Sequence, residues 1–187
     1  MIIIPLIVLG IVVLIVIWFV GIYNGLVRLR NAVREAWSQI DVQLKRRHDL
    51  IPNLVETVKG YMGHERETLE NVTKARAAAA GATTIAERGQ AEGGLTAALG
   101  RLFAVAEAYP DLKANQNFLA LQEELASTEN RIGFARQYYN NNVLSYNNRT
   151  QMFPSSIAAG MFGFQASEFF QIDVAAEREA PKVSFQR

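Results

Sequence analysis

Few side chains in this 187-residue chain could carry a reaction. It has two histidines, each with an acidic neighbour: His48 beside Asp49, and His64 beside Glu65. A histidine–carboxylate pair activates water or a nucleophile only when the two groups act on one point. Adjacent residues on a helix project about 100° apart, so neither pair shares a face. Two histidines cannot supply a motif of paired metal-ligand histidines. Cysteine is absent, which excludes disulfides, thiolate metal sites and cysteine nucleophiles. No phosphate-cradling glycine loop leads into a helix. The expectation is a chain with no catalytic residue, no metal and no cofactor, and so not an enzyme.

What remains is a cluster suited to binding. Lys45-Arg46-Arg47-His48-Asp49 runs into Leu50-Ile51-Pro52-Asn53-Leu54-Val55. Pro52 has no N–H, so the His48 carbonyl loses its helical partner and the helix should bend or bulge there. Arg46, Arg47, Asp49, Pro52 and Asn53 are therefore candidate interaction residues, offering charge and backbone to a partner at a kink. The plainer alternative is a kink that only curves a long helix, with its charges solvated.

The element carrying this cluster is a helix over 26–61. Its apolar residues are Leu26, Leu29, Val33, Trp37, Ile40, Leu44, Ile51, Leu54, Val58 and Tyr61. Their steps are threes and fours, the period of one buried stripe, with one slot filled instead by Arg47. Before it, residues 1–27 carry no charge, and 2–20 are almost unbroken aliphatic. A helix needs about 20 such residues to cross the hydrocarbon. Neither a basic leader nor a small-residue cleavage site is present, which favours an uncleaved transmembrane anchor over 1–25 rather than a signal peptide. Trp18 and Tyr23 suit an interfacial aromatic pair. Arg28, Arg30 and Arg34 closely follow the span, and no cationic side chain precedes it. The charge bias places the N-terminus outside and the remainder in the cytoplasm, anchored in the inner membrane. Gly21 and Gly25 form a Gly-xxx-Gly pair that permits close helix approach.

Further helices are expected over 64–80, 84–109 and 111–150. Gly60 and Gly63 turn the chain before the first, and Thr84-Ile85-Ala86-Glu87 is a capping box for the second. Gly89, Gly93, Gly94 and Gly100 weaken that helix's first half. Tyr109-Pro110-Asp111 is a turn. The last helix carries Tyr139-Asn140-Asn141 and Tyr146-Asn147-Asn148, seven residues apart. Asparagine is a poor helix former, so these six are candidate hydrogen-bonding positions toward neighbouring helices or another subunit; the alternative is that most are exposed and tolerated. Residues 153–187 begin phenylalanine-rich, with Phe162 and Phe164 as candidate contacts, and end in a polar stretch around Glu177-Arg178-Glu179-Ala180-Pro181 that is expected to be mobile.

Short connections make sequential helices antiparallel. The expected fold is all-α: a transmembrane helix continuing into an antiparallel four-helix bundle (26–152) with long first and fourth helices. If Tyr61 lies near Pro110, paired positions sum to roughly 171. Trp37 then meets Phe134, the Lys45–Arg47 patch meets Glu123 and Glu124, and Asp41 falls near Glu129, Asn130 and Arg131. The returning helix brings the phenylalanine-rich segment back toward the membrane.

The anchor, Arg-Arg-His-Asp-Leu-Ile-Pro-Asn-Leu-Val (46–55), Ala-Tyr-Pro-Asp-Leu-Lys-Ala-Asn (108–115), Thr-Glu-Asn-Arg-Ile (128–132), Tyr-Asn (139–140) and Gly-Phe (163–164) together resemble the LemA family of bacterial membrane proteins. The resemblance covers nearly the whole chain and implies one N-terminal membrane helix and an antiparallel four-helix bundle. It implies no catalytic residue, cofactor or substrate. The glycine-rich 89–100 stretch is the most distinctive departure from the pattern.

Two non-enzymatic functions follow as expectations. One is a membrane-anchored scaffold that self-assembles and organises or remodels membrane, its partners being itself and the lipid bilayer. The other is a membrane-anchored adaptor recruiting a protein partner through the helix-one kink and the asparagine-rich face. A net charge of +1 gives no case for nucleic acid.

Overall fold

The computed structural model of the chain describes residues 3–172; the polar stretch around 177–181 lies outside them. The described residues are all-α, without a strand. The elements are α1 (Ile3–Lys59), α2 (Arg66–Gly81), α3 (Ile85–Ala106), α4 (Pro110–Lys113), α5 (Gln116–Gln151) and α6 (Ser155–Met161). They group into two compact units. Among the described residues, one holds 3–40 with Gln137–Phe169; the other holds Asp41–Arg136 with 170–172. The long helices α1 and α5 contribute to both.

α1 runs through Pro52 as one helix. Its N-terminal part turns large aliphatic side chains outward: the most apolar window has nothing buried within the structure, and the helix is long and apolar enough to cross a membrane. From Ile22 onward a buried stripe appears at threes and fours, with Leu29 only half-buried in its slot: Ile22, Leu26, Val33, Ala36, Ile40, Leu44, Arg47, Ile51, Leu54 and Val58. Arg47 therefore occupies a core slot. α1 stops at Lys59, short of Tyr61, which is exposed; Met62 takes the buried position instead.

In the second unit, one core draws on Ile51, Leu54 and Val58 of α1, Leu69 and Val72 of α2, Leu95, Leu99 and Leu102 of α3, and Phe118 and Leu125 of α5. The capping box forms as expected: Thr84 accepts from the Glu87 N–H, and the Glu87 carboxylate accepts from the Thr84 N–H. α3 is continuous despite its glycines. Gly89 has a reason to be glycine, because a Cβ there would lie 2.0 Å from the Gln171 carbonyl oxygen. Its bare backbone lets the segment carrying buried Phe170 and Ile172 lie directly on α3.

The helix expected over 111–150 is two helices. α4 is one short turn, and Asn115 then caps α5 by accepting from the Phe118 N–H at 3.0 Å, while its amide donates to the Tyr61 hydroxyl at 2.9 Å. This connection delays the long helix by about five residues relative to the expected start. The pairing moves with it. In the first unit Trp37 stacks edge-on against Tyr139, ring centroids 5.4 Å apart, not against Phe134, which is 73% exposed.

Trp37 is half-buried. Trp37→Ala is therefore expected to cost about 2 kcal/mol, less than the ~3–5 of a fully enclosed ring. Denaturant unfolding of the full chain in mild detergent, followed by helical circular dichroism, checks this; a loss below ~0.5 kcal/mol would mean the Tyr139 contact contributes nothing.

Candidate functional site

The most concentrated chemistry lies in the second unit, where Arg47 interrupts the apolar stripe. α1 points it into the core, and only 1% of it is exposed. One terminal nitrogen donates to the Thr96 hydroxyl at 3.0 Å and to the Glu129 carboxylate. The other donates to the Glu92 main-chain carbonyl at 3.1 Å and to the Glu92 carboxylate. Its Nε is buried with no partner. Glu92 is fully buried on α3, and its second oxygen accepts from His48 Nε2 at 2.8 Å. An ionised carboxylate only accepts, so His48 Nε2 is the donor in this bond.

Two charges inside a core demand this many contacts. Removing a guanidinium and a carboxylate from water costs several kcal/mol each, and their attraction offsets that only when the remaining donors and acceptors are occupied. Arginine suits the slot because its planar fork reaches two carboxylates, a hydroxyl and a carbonyl at once. Burial pushes the Glu92 carboxyl up, but the His48 hydrogen bond and the charges of Arg47 and His48 outweigh it and hold the group below the usual carboxylate value. With no exposed surface and both oxygens engaged, Glu92 sits in an arrangement that clamps α1, α3 and α5.

A carboxylate held low in the folded state stabilises the fold above the unfolded value of about 4.3, and that contribution fades as pH falls through and below it. The denaturant midpoint should accordingly drop between neutral pH and about pH 3, with a shallower drop in Glu92→Gln. Parallel profiles for parent and variant would remove Glu92 as the responsible group.

The turn around Pro52 behaves differently from a solvent-facing patch. The His48 carbonyl, orphaned by Pro52, accepts from Arg76 Nε of α2 at 2.7 Å. The basic cluster is divided rather than presented together. Arg46 is exposed and pairs with Glu124, as the sequence led us to expect, while Arg47 turns inward and is withdrawn as a surface contact. Asp49, Pro52 and Asn53 stay exposed. Asp41 pairs with Arg88 of α3 at 2.5 Å, and Glu129, its expected neighbour, pairs with Arg47. The two histidine–acid pairs stay apart as functional groups: His48 faces Glu92 while Asp49 is exposed, and His64 is exposed while Glu65 accepts from the Tyr109 hydroxyl at 3.5 Å.

In the first unit the asparagine repeat splits by face. Asn147 grips Ser167 twice, its amide donating to the carbonyl at 2.9 Å and its oxygen accepting from the N–H at 2.8 Å. Tyr139 donates to the Glu168 carbonyl at 2.8 Å. Burial raises the Tyr139 hydroxyl above its ordinary pKa, and nearby Glu168 adds to that; burial likewise raises Tyr146, against the opposing charges of Arg30 and Arg34. Tyr146 is buried, Asn140 half-buried, and Asn141 and Asn148 exposed. Phe164 is buried beside Tyr23 and beneath the Arg30 guanidinium, 4.9 Å from the ring centre. Phe162 meets both Tyr23 and Phe19. Gly21 and Gly25 have nothing within 4 Å of where a Cβ would lie.

Glu92, Glu129 and Thr96 of the clamp escaped selection from the sequence. The usable signal was the charge in a core slot at Arg47, which requires a buried acid somewhere. Nothing in the sequence marks Arg76 as the partner of the His48 carbonyl.

A family model described as the LemA family matches residues 36–185. Protein LemA of Metamycoplasma hominis is 30% identical over 166 residues, covering 83% of this chain and 74% of that protein. Magnetosome protein MamQ 2 of Paramagnetospirillum magneticum is 26% identical over 175 residues, covering 80% of this chain and 64% of that protein. Magnetosome protein MamQ of Magnetospirillum gryphiswaldense is 24% identical over 174 residues, covering 79% and 64%. The chain thus spans just under two thirds of the length of these two magnetosome relatives.

Proposed function

The chain belongs to the LemA family, and from that premise we propose that it is a membrane-anchored, non-enzymatic scaffold that self-assembles and organises or remodels membrane. The observation that carries this reading is α1, whose aliphatic N-terminal surface nothing in the chain covers and which continues without a break into a packed helical unit. In this architecture 1–25 is the anchor, 26–152 an antiparallel four-helix bundle, and 153–187 a phenylalanine-rich segment with a polar tail. The arginines after the span support a bundle on the cytoplasmic side of the inner membrane. The non-catalytic reading is supported by the engagement of both Glu92 oxygens and by the separation of each histidine from its neighbouring acid. None of the relatives' names carries a reaction.

Self-assembly is supported by Gly21 and Gly25, open to a second helix, and by Asn141 and Asn148, exposed on the α5 surface. The membrane holds subunits at high effective concentration, so weak contacts reinforce one another. The full chain should therefore run as a homo-oligomer in mild detergent and in lipid nanodiscs. Gly21→Leu with Gly25→Leu should shrink the particle without changing its helix content. A monomeric parent in both media would end the scaffold reading. The adaptor would then take its place, supported by the open groove where exposed Asn53 lies beside Leu50, Thr57, Leu121 and Glu124.

A further inference from the structure

α6 is built inside out for a helix in water. Its inward positions are small: Ser155, Ala158 and Ala159 are buried. Its outward positions are large and apolar: Ile157 is 53% exposed and Met161 69%, flanked by Met152 at 62%, Phe153 at 80% and Phe162 at 52%. A water-facing helix hides its large apolar side chains and exposes polar ones. From Thr150 to Ser167 no side chain is charged.

The main chain is finished to match. The Phe162 N–H bonds the Ala158 carbonyl at 3.0 Å, and the Phe164 N–H bonds the Ala159 carbonyl at 2.9 Å. Gly163 between them has φ +68. This is a Schellman end, which occupies carbonyls that water would otherwise have to reach. It also throws Phe162 outward while turning Phe164 in. The Ser155 hydroxyl donates to main-chain carbonyls, to Arg149 at 2.7 Å and Met152 at 3.0 Å.

Its position says what lies against it. Phe162 stacks on Phe19 at 6.1 Å and on Tyr23 at 4.8 Å, on the same helix that carries the apolar span. Arg28, the first charge after the span, is about nine residues beyond Phe19, or roughly 14 Å along the axis. With Arg28 at the water boundary, the Phe19 level is below a headgroup layer of about 5–7 Å. The apolar surface of α6 is therefore continuous with that of the span.

We propose that residues 152–162 lie in the bilayer that α1 crosses, at the boundary of headgroups and acyl chains, with Phe153, Ile157, Met161 and Phe162 facing the lipid. This rests on the reading of α1 as a membrane span. The chain touches its bilayer twice, once with a transverse helix and once with a short helix embedded from one side. Such a segment occupies area in one leaflet only.

The cysteine-free sequence makes the test direct. The single variants Ile157→Cys, Met161→Cys, Val12→Cys and Lys74→Cys are nitroxide-labelled in the full chain and reconstituted into phosphatidylcholine–phosphatidylglycerol vesicles. Collision with oxygen, which concentrates in hydrocarbon, is compared with collision with a water-soluble nickel chelate. Val12 should favour oxygen strongly and Lys74 nickel, with Ile157 and Met161 favouring oxygen at a shallower depth than Val12. If Val12 favours oxygen but both α6 sites favour nickel, this inference fails and the anchor stands. If Val12 itself favours nickel, the membrane reading fails and this inference with it. If the α6 labels are shielded from both reagents and show spin–spin broadening, a second copy covers the surface and the lipid assignment is overturned.

Discussion

Arg47→Ala is expected to destabilise the chain by about 3–5 kcal/mol, because it leaves the fully buried Glu92 carboxylate without its main countercharge. The cost comes less from the lost attraction than from the acid left behind. His48 remains beside Glu92 but cannot replace a two-armed guanidinium that also holds Glu129 and Thr96. A double substitution separates this cost from ordinary cavity formation. Replacing Arg47 and Glu92 together by methionine removes both desolvated charges and fills much of the space, and should recover most of the loss. Denaturant midpoints of the parent, Arg47→Ala and the double variant in mild detergent separate the charge left behind from the packing lost. If Arg47→Ala costs less than ~1 kcal/mol, the clamp is not a buried ion pair. If the double variant falls as far as the single, packing rather than charge is responsible.

Gly89→Ala should destabilise by about 2–4 kcal/mol although alanine is the better helix former by up to ~1 kcal/mol. The new Cβ would lie 2.0 Å from the Gln171 carbonyl oxygen, a backbone atom that cannot swing aside, so the segment must lift from α3. Phe170 and Ile172 then lose burial worth roughly 1.5–3 kcal/mol each, of which a partial shift forfeits a share. Gly94→Ala on the same helix is the control: nothing lies within 4 Å of its Cβ position, and it should stabilise by about 0.5–1 kcal/mol. Denaturant unfolding of both variants, with hydrogen exchange over 170–172, checks the pair. Equal effects of the two substitutions would mean the segment is not seated at Gly89.

These two sites mark where sequence reading reached and where it stopped. The buried stripe of α1 was legible because its period is carried by large aliphatic residues whose burial dominates helix orientation. Within it, the choice between Trp37 and Ala36 was not, since periodicity tolerates either and the adjacent Tyr139 ring decides. The Thr84 capping box was readable because both partners lie within three residues. Asn115 was read as part of a helix rather than its cap because its acceptor role is local but its consequence, a five-residue delay of α5, is not. The glycines of α3 looked like weakness in isolation; at Gly89 the reason is a segment eighty residues further on. Glu92 sat among those glycines with nothing local to mark it. Arg47 was noticed as a missing apolar residue, and only the fold reveals it as a buried cation.

The bond from Arg76 to the His48 carbonyl acquires another meaning when the chain is considered in time. Synthesis delivers Pro52 well before Arg76, so a nascent α1 passes through a period in which that carbonyl has only water to satisfy it. On the reading of its N-terminal part as a membrane span, that part of the helix has no such dependence, since a hydrocarbon surround leaves its main-chain groups only one another as partners. The turn around Pro52 gains its missing hydrogen bond only when α2 supplies a donor in place of the N–H that proline lacks. The turn around Pro52 is a joint that closes late, and its closure registers that the downstream helix has docked.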